Sequence, residues 1–432
     1  MAEILGRIKA DLRLKKLILF IMGVLAAVSL IQGCKNAVLV SQDFQWDAAK
    51  ALVMGIDPYD ESLSPSGALP PEFEKYYLQM EANQFPSLFL LLYPYTLLPP
   101  LAARYAWLVS NLLFTAGIIA LLKKTFLSKA DDFTFCFFML LMIAGTPYRN
   151  QLGVGQHTLF SFFFFLLAVY CIDMKEKGAH PVDGPDGVRA ARDMTSGIGN
   201  RFSAAAMAAL FVGWFKYTLT VPLALYFVYR KRYRELFFSA GLHAVLTAVC
   251  AGILGESFID MIVKPLKVSS ELAAEGGLDL GALLSGSPVS YVLGILILLG
   301  LFIFSLVEGL RHNDGAEGSG SAPSSALISM LTLWALIVTY HRTYDFFVIV
   351  VVLSLMLLPE CPGYVSVMYA ATLLGVFFVL RLFSESVPSR IAVGALYYAF
   401  TFAVTANVYK MFRMWRLSAH DLHSKSARRR KF

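Results

Sequence analysis

The chain has 432 residues, is 57% hydrophobic and only 16% charged, and carries a formal charge of +7. A soluble globular chain carries about 25% charged residues. Many apolar runs here approach or exceed the roughly 18–20 residues that cross a bilayer, so a soluble domain is excluded. A spanning β-barrel is excluded as well, because the runs lack its strict alternation. The positive charge is not a nucleic-acid signal. Arg7, Lys9, Arg13, Lys15 and Lys16 stand against Glu3 and Asp11 at one end, and eight basic residues from Lys410 onward stand against Asp421 at the other. The ends therefore hold more than the whole surplus, and the middle is net acidic. That pattern predicts both termini on the cytoplasmic side of a multi-pass protein in the cytoplasmic membrane, with Arg428–Lys431 anchoring on an anionic leaflet.

In chain order, the basic residues 1–16 lead into a first span at about 17–34, retained because no small-residue cleavage site follows it. The loop at 41–84 is then external. It holds eight carboxylates against Lys50 and Lys75 and is too long for a mere connector, so it is a functional candidate. Asp43, Asp47 and Lys50 fall on one face of a helix, with Ser41 as its N-cap, Gly55 as its stop and Asp57-Pro58-Tyr59-Asp60 as a turn. This reads as an amphipathic helix on the membrane surface, and Pro70–Tyr77 as a second. Further apolar runs cover 85–98, 104–122, 133–146 and 160–172, with a polar Gly-rich segment, Thr146–His157, between the last two.

Residues 203–229 are apolar around one charge, Lys216. If they form one span, the 173–201 loop is outside and the 147–159 segment inside. If the run breaks at Lys216, those sides exchange. Arg230–Arg234 is cytoplasmic. Runs at 236–254, 288–310, 325–340, 345–358, 364–383 and 391–412 bring the expected total to about twelve spans. The segment at 255–287 is a polar loop and Asp314–Ser321 a linker. The whole, 1–432, reads as one all-α integral membrane domain, with 41–84 as its external functional loop and 413–432 as a cytoplasmic tail.

Charges at membrane depth are expensive and mark functional sites. Asp43 and Asp47 are candidates for a general base and its helper, against a merely solvated helix face. Lys216 is a candidate phosphate partner, against a snorkelling lysine at a span end. His341 and Arg342, in Tyr340–Asp345, are candidates to bind phosphate or move a proton, against an ordinary turn in which Asp345 caps the next helix. Arg149, Asn150, Gln156 and His157 are candidates to line a polar pocket. The five cysteines (34, 136, 171, 250 and 361) have neither disulfide nor metal-ligand spacing, and no nucleotide-binding or zinc motif is present, so neither metal nor cofactor is expected.

The order Asp43-Phe44, Ala48-Ala49, Ala51, Gly55, Asp57-Pro58-Tyr59 fits a pattern DF-x-x-x-AA-x-A-x-x-x-G-x-D-P-Y. Gln84–Phe89, Tyr93-Pro94, Trp107, Gly155-Gln156 and Lys216 follow it. This resembles the polyprenol-phosphate-mannose-dependent α-mannosyltransferases of glycosyltransferase family 87, in the GT-C superfamily, over roughly residues 15–235. Two departures are visible: Phe85-Pro86-Ser87 stands for an aromatic-Pro-Pro, and in the late motif His341 precedes Asp345 instead of following an Asp. The resemblance implies a GT-C fold and inverting transfer from a polyprenyl-phosphate sugar to a glycolipid or glycan acceptor at the outer face. The lipid-linked sugar is then a co-substrate, and no metal is required. Asp43 would be the general base. Lys216, Arg342, His341 and Arg149 would face the donor phosphate, and Asp47, Trp46, Tyr59, Gln156, His157 and Asp345 the sugar or acceptor. Two other classes compete. A transporter or flippase of a lipid-linked or anionic solute would tend to show internal repeats, and none is apparent. An O-antigen ligase or polymerase would place its large loop late in the chain.

Overall fold

The computed structural model describes residues 11–41, 46–64, 82–177, 187–272, 277–311, 321–382 and 387–429. Their regular structure is all helical, with no strand among them. Helix α1 (Leu12–Lys35) continues as a π-helical turn, Asn36–Val40, and short helices α2 (Asp47–Val53) and α3 (Pro58–Leu63) follow. Then come α4 (Pro86–Thr96), α5 (Pro100–Thr125), α6 (Asp132–Ala144), α7 (Thr146–Val154), α8 (Thr158–Lys177), α9 (Gly187–Gly213) and α10 (Tyr217–Tyr229). The later part comprises α11 (Tyr233–Leu254), α12 (Phe258–Leu272), α13 (Leu280–Leu283), α14 (Pro288–Arg311) and α15 (Ser321–Val338). A 3-10 helix, Thr343–Val352, runs into α16 (Leu353–Met356). Helix α17 (Gly363–Leu374), a π-helical turn Gly375–Val379, α18 (Leu380–Leu382) and α19 (Val387–Arg429) complete the chain.

Among the described residues, seven helices are long and apolar enough to cross a membrane, which makes this a polytopic helical membrane protein. The expected count of about twelve also takes in apolar runs that fold as shorter helices. The run at 85–98 is one 11-residue helix, Pro86–Thr96, with Pro94 inside it. Asp132–Ala144, Tyr217–Tyr229, Ala322–Val338 and Thr343–Met356 are apolar but also short.

Local chemistry sets the ends. Asp11 caps α1 by accepting from the backbone N–H of Arg13 at 2.8 Å and of Leu14 at 3.2 Å. Asp131 does the same for α6, accepting from Thr134 N and Thr134 Oγ1, and these bonds hold its carboxyl below the ordinary range. Pro86 and Pro100 sit in the first turns of α4 and α5, where a missing N–H costs nothing.

Two apolar clusters form the interior. The larger surrounds α15 and the 3-10 helix, in which every residue from Asp345 to Val352 is buried. The smaller gathers Trp46, Ala49, Tyr59, Leu88, Trp107 and Phe215, joining α2 and α3 to α4, α5 and the break before α10. Between helices in a bilayer the driving force is close packing more than escape from water. The interdigitated Phe114, Phe160, Phe163 and Phe164 rings fit that rule.

The first external segment differs from expectation. Ser41 closes the π-helical turn, and the following helix begins at Asp47 with Trp46 in the cap position. It ends where expected, with Gly55 at φ +73°. Its charged face is not simply solvated, since Asp47 is only 3% exposed. Asp57-Pro58-Tyr59-Asp60 is no isolated turn: Asp57 caps α3, accepting from the N–H of Tyr59 and Asp60. The polar segment 255–287 contains α12, whose Lys264 reaches back to Asp57 at 2.5 Å, Asp60 at 3.0 Å and Glu256 at 3.4 Å. Burial opposes the Lys264 charge, but the bonds from Asp57 and Asp60 outweigh it and raise its pKa. The second surface helix expected at 70–77 and the linker at 314–320 lie outside the described residues.

The run 203–229 breaks at Lys216. Helix α9 ends at Gly213 and α10 begins at Tyr217. The N–H of Lys216, freed by the break, donates to Ser161 Oγ at 3.0 Å. Inside a membrane such a break survives only if the freed backbone groups find partners. The break puts Lys216 at the same end of the bundle as Thr158 and His341, while Arg230 pairs with Asp173 and Glu176 at the other.

Candidate active site

Four chain breaks converge at one end of the bundle: Asn83–Phe85 before α4, Gln156-His157 between α7 and α8, Phe215-Lys216 before α10, and Tyr340–Arg342 after α15. They line a cleft of about 540 Å³, including its open mouth, with Gln84, His157, Lys216, Tyr217, Tyr340 and Tyr344 on its wall.

At its base lies a charged unit. Lys216 Nζ donates to Asp345 Oδ1 at 2.9 Å, and Thr158 Oγ1 donates to the same oxygen. The other oxygen, Oδ2, is 2.8 Å from His341 Nδ1. Asp345 is 1% exposed and His341 fully buried, while the Lys216 side chain keeps 13% of its surface. An ionised carboxylate only accepts, so the Asp345 bond makes Nδ1 of His341 the protonated nitrogen. Its Nε2 is buried and has no hydrogen-bond partner among the described residues. The Lys216 ammonium also lies 5.3 Å over the Tyr344 ring. One buried carboxylate thus balances one lysine and orients one imidazole.

The backbone at His341 is held from behind. Its N–H donates to Asp279 Oδ2 at 3.4 Å, and Asp279 also caps α13 through Ala282 N. Burial raises the Asp279 pKa, opposed by those bonds and by His341. Gly277 permits this approach, for a Cβ there would come within 2.4 Å of His341 O.

The opposite wall turns on Gly155, whose φ of +79° closes α7 in the left-handed region. Trp107 Nε1 donates to Gly155 O at 2.6 Å, and the Trp107 ring meets His157 edge-on. Gln151 donates to the carbonyl of Gln156, and Gln84 Nε2 lies 3.4 Å from His157 Nδ1. Tyr59 is fully buried and donates to Gln84 O at 2.6 Å. It therefore supports the cleft from behind.

The candidates from sequence separate into groups. Lys216, His341 and Asp345 come together, with Gln156 and His157 in the adjoining wall. Asp345 is no simple helix cap, since its oxygens serve Lys216, Thr158 and His341. Arg342 is half-buried and its Nε donates to Tyr340 OH. Arg149 points to α1, donating to Gln32 Oε1 at 3.0 Å, away from the Lys216 unit. Trp46 stacks on Tyr95 at 5.9 Å, and Asp47 lies within the electrostatic reach of Arg104. Asp43 lies outside the described residues. Its flanking described residues, Ser41 and Trp46, both border a second cavity that Arg104, Trp107 and Gly155 also line. Thr158, Gln84 and Asp279 were missed as site residues. A threonine opening an apolar helix and an aspartate in a polar loop carry no distinguishing pattern.

No curated protein and no solved structure gives a significant match to the chain. The model of glycosyltransferase family 87 does match, over residues 86–339, from the start of α4 to the approach to His341. That match includes Lys216, Thr158 and two of the four breaks, Gln156-His157 and Phe215-Lys216, and it covers more than half of the chain. This membrane protein therefore belongs to glycosyltransferase family 87.

Proposed function

We propose that this glycosyltransferase moves a mannosyl residue from a polyprenyl-phosphate donor to an acceptor hydroxyl, with inversion, at the outer face of the cytoplasmic membrane. Asp43 takes the proton of the acceptor hydroxyl. The acceptor oxygen attacks the anomeric carbon, and the bond from that carbon to the phosphate oxygen breaks in the same displacement. The electron pair leaves with the lipid phosphate, on which negative charge grows in the transition state. Lys216 and His341 stabilise that charge, and Tyr340, Tyr344 and Gln156 border the sugar.

The observation that carries this reading is the buried Lys216–Asp345–His341 unit at the base of a polar cleft. Asp345 neutralises Lys216 before donor binds, so an ammonium waits at the site without an uncompensated charge. A phosphate arriving at the cleft supplies a second anion and a proton acceptor for an imidazolium. The positions of Ser41 and Trp46 beside the Gly155 turn favour Asp43 as the base, because that turn leads directly into Gln156 and His157 of the cleft.

The test is transfer from labelled polyprenyl-phosphate mannose to a membrane lipid extract by purified protein. Asp43→Asn should fold as wild type and lose about 10²–10⁴-fold in rate, the usual contribution of a general base. Undiminished transfer by that variant would overturn the assignment. Mass analysis of the wild-type product identifies the acceptor.

A further inference from the structure

Along the middle of the bundle, away from the cleft, α14, α15 and α19 enclose a lateral apolar groove of about 490 Å³, its open side included. Gly300 and Phe304 form one wall, Thr405 and Tyr409 the other, and Met330 and Trp334 the floor. Trp334 Nε1 donates to Thr405 Oγ1 at 2.8 Å, so the indole is fixed and the floor presents no unpaired donor. The walls extend into charge. On α14 the stripe of Gly300 and Phe304 continues at helical spacing to Glu308 and Arg311, and on α19 that of Thr405 and Tyr409 continues to Phe412 and Arg416. Arg311 and Arg416 converge on the Glu308 carboxylate, each at 3.6 Å. Glu308 is 5% exposed. Among the described residues, two guanidiniums share one buried carboxylate, which leaves one positive charge over at the mouth of an apolar groove.

We propose that this groove binds an anionic phospholipid of the surrounding bilayer, its phosphate on Arg311 and Arg416 and one acyl chain along Trp334. The dimensions suit a single leaflet. From Gly300 to Arg311 a helix rises about 16 Å, close to half of a roughly 30 Å hydrocarbon core. The groove is not a second donor site, because its cationic end is the far end of α15 from His341. The proposal stands independently of the sugar or the acceptor.

The test uses full-length protein in phosphatidylcholine vesicles doped with brominated-acyl phosphatidylglycerol or, separately, brominated-acyl phosphatidylcholine. Bromine quenches tryptophan on contact, and subtracting the signal of Trp334→Phe isolates Trp334. Quenching of Trp334 is expected at about five- to tenfold lower content of the anionic lipid, the discrimination one net charge near a lipid surface supplies. Arg311→Gln with Arg416→Gln should remove that preference. Gly300→Leu should block quenching by both lipids while leaving the arginines in place, since open space surrounds a Cβ at that position. Equal quenching by the two lipids in wild type would overturn the proposal. So would a preference that survives either the double substitution or Gly300→Leu.

Discussion

Lys216 and Asp345 stand 129 positions apart in the sequence and meet at 2.9 Å, on a carboxylate only 1% exposed. Removing one partner of such a pair strands the other charge. Lys216→Met should therefore cost about 3–5 kcal/mol of stability as well as activity. Lys216→Met combined with Asp345→Leu should recover much of the stability and none of the transfer. Thermal unfolding in detergent beside a transfer assay separates the two effects, and a stable but inactive single variant would contradict the pairing argument.

His341 is oriented through Nδ1, so its contribution depends on Asp345. His341→Phe should lower transfer by about 10²–10³-fold, the range for losing one stabilising donor at a developing anion. Asp345→Asn should reproduce much of that loss, since a neutral amide no longer balances an imidazolium held through Nδ1. A double variant no worse than His341→Phe alone would establish that the two act as one unit.

Gly277 is the close-approach point behind the site. Gly277→Ala would drive a methyl into the His341 carbonyl and the Asp279 carboxylate, each 2.4 Å from the ideal Cβ. Transfer should fall sharply with the rest of the fold intact. Gly241→Ala is the control: it lies inside α11 with open space around its Cβ, and should stabilise by about 0.5–1 kcal/mol.

His243 ties three helices, with Nδ1 at 2.6 Å from Ser87 Oγ on α4 and Nε2 at 2.7 Å from Phe211 O on α9. Ser87→Ala leaves a buried ring nitrogen unpaired and should cost about 1–3 kcal/mol. The loss should show in unfolding temperature and only weakly in transfer, because Ser87 does not line the cleft.

Lys264 joins α12 to α3 through Asp57 and Asp60, which raise its pKa above the ordinary 10.5. A lysine whose pKa is raised by folding contributes stability that is complete below pH 10.5 and fades as pH climbs through the raised value. Lys264→Gln should therefore unfold at a lower temperature than wild type by the same margin at pH 7 and pH 9.5. A margin already lost at pH 9.5 would refute the assignment.

Much of this was legible in the residues alone. Long apolar runs force helices in lipid, so the membrane class followed from composition. Isolated charges are too costly there to be casual, so Lys216, His341 and Asp345 could be singled out one by one. The family pattern was also readable, since its glycines, prolines and aspartates sit at fixed offsets. Short apolar runs are ambiguous, because a helix of 11 or 13 residues and a full span look alike until packing is known. The exit of the 203–229 run at Lys216 was one of two readings that sequence left open. Tertiary structure alone decided that Lys216, Thr158, His341 and Asp345 form one unit, that Arg149 turns toward Gln32, and that Asp279 holds the backbone at His341. Those relationships join helices far apart in the chain. Charge cost marks which residues need partners, but only the packing of the helices brings a particular partner within hydrogen-bond reach.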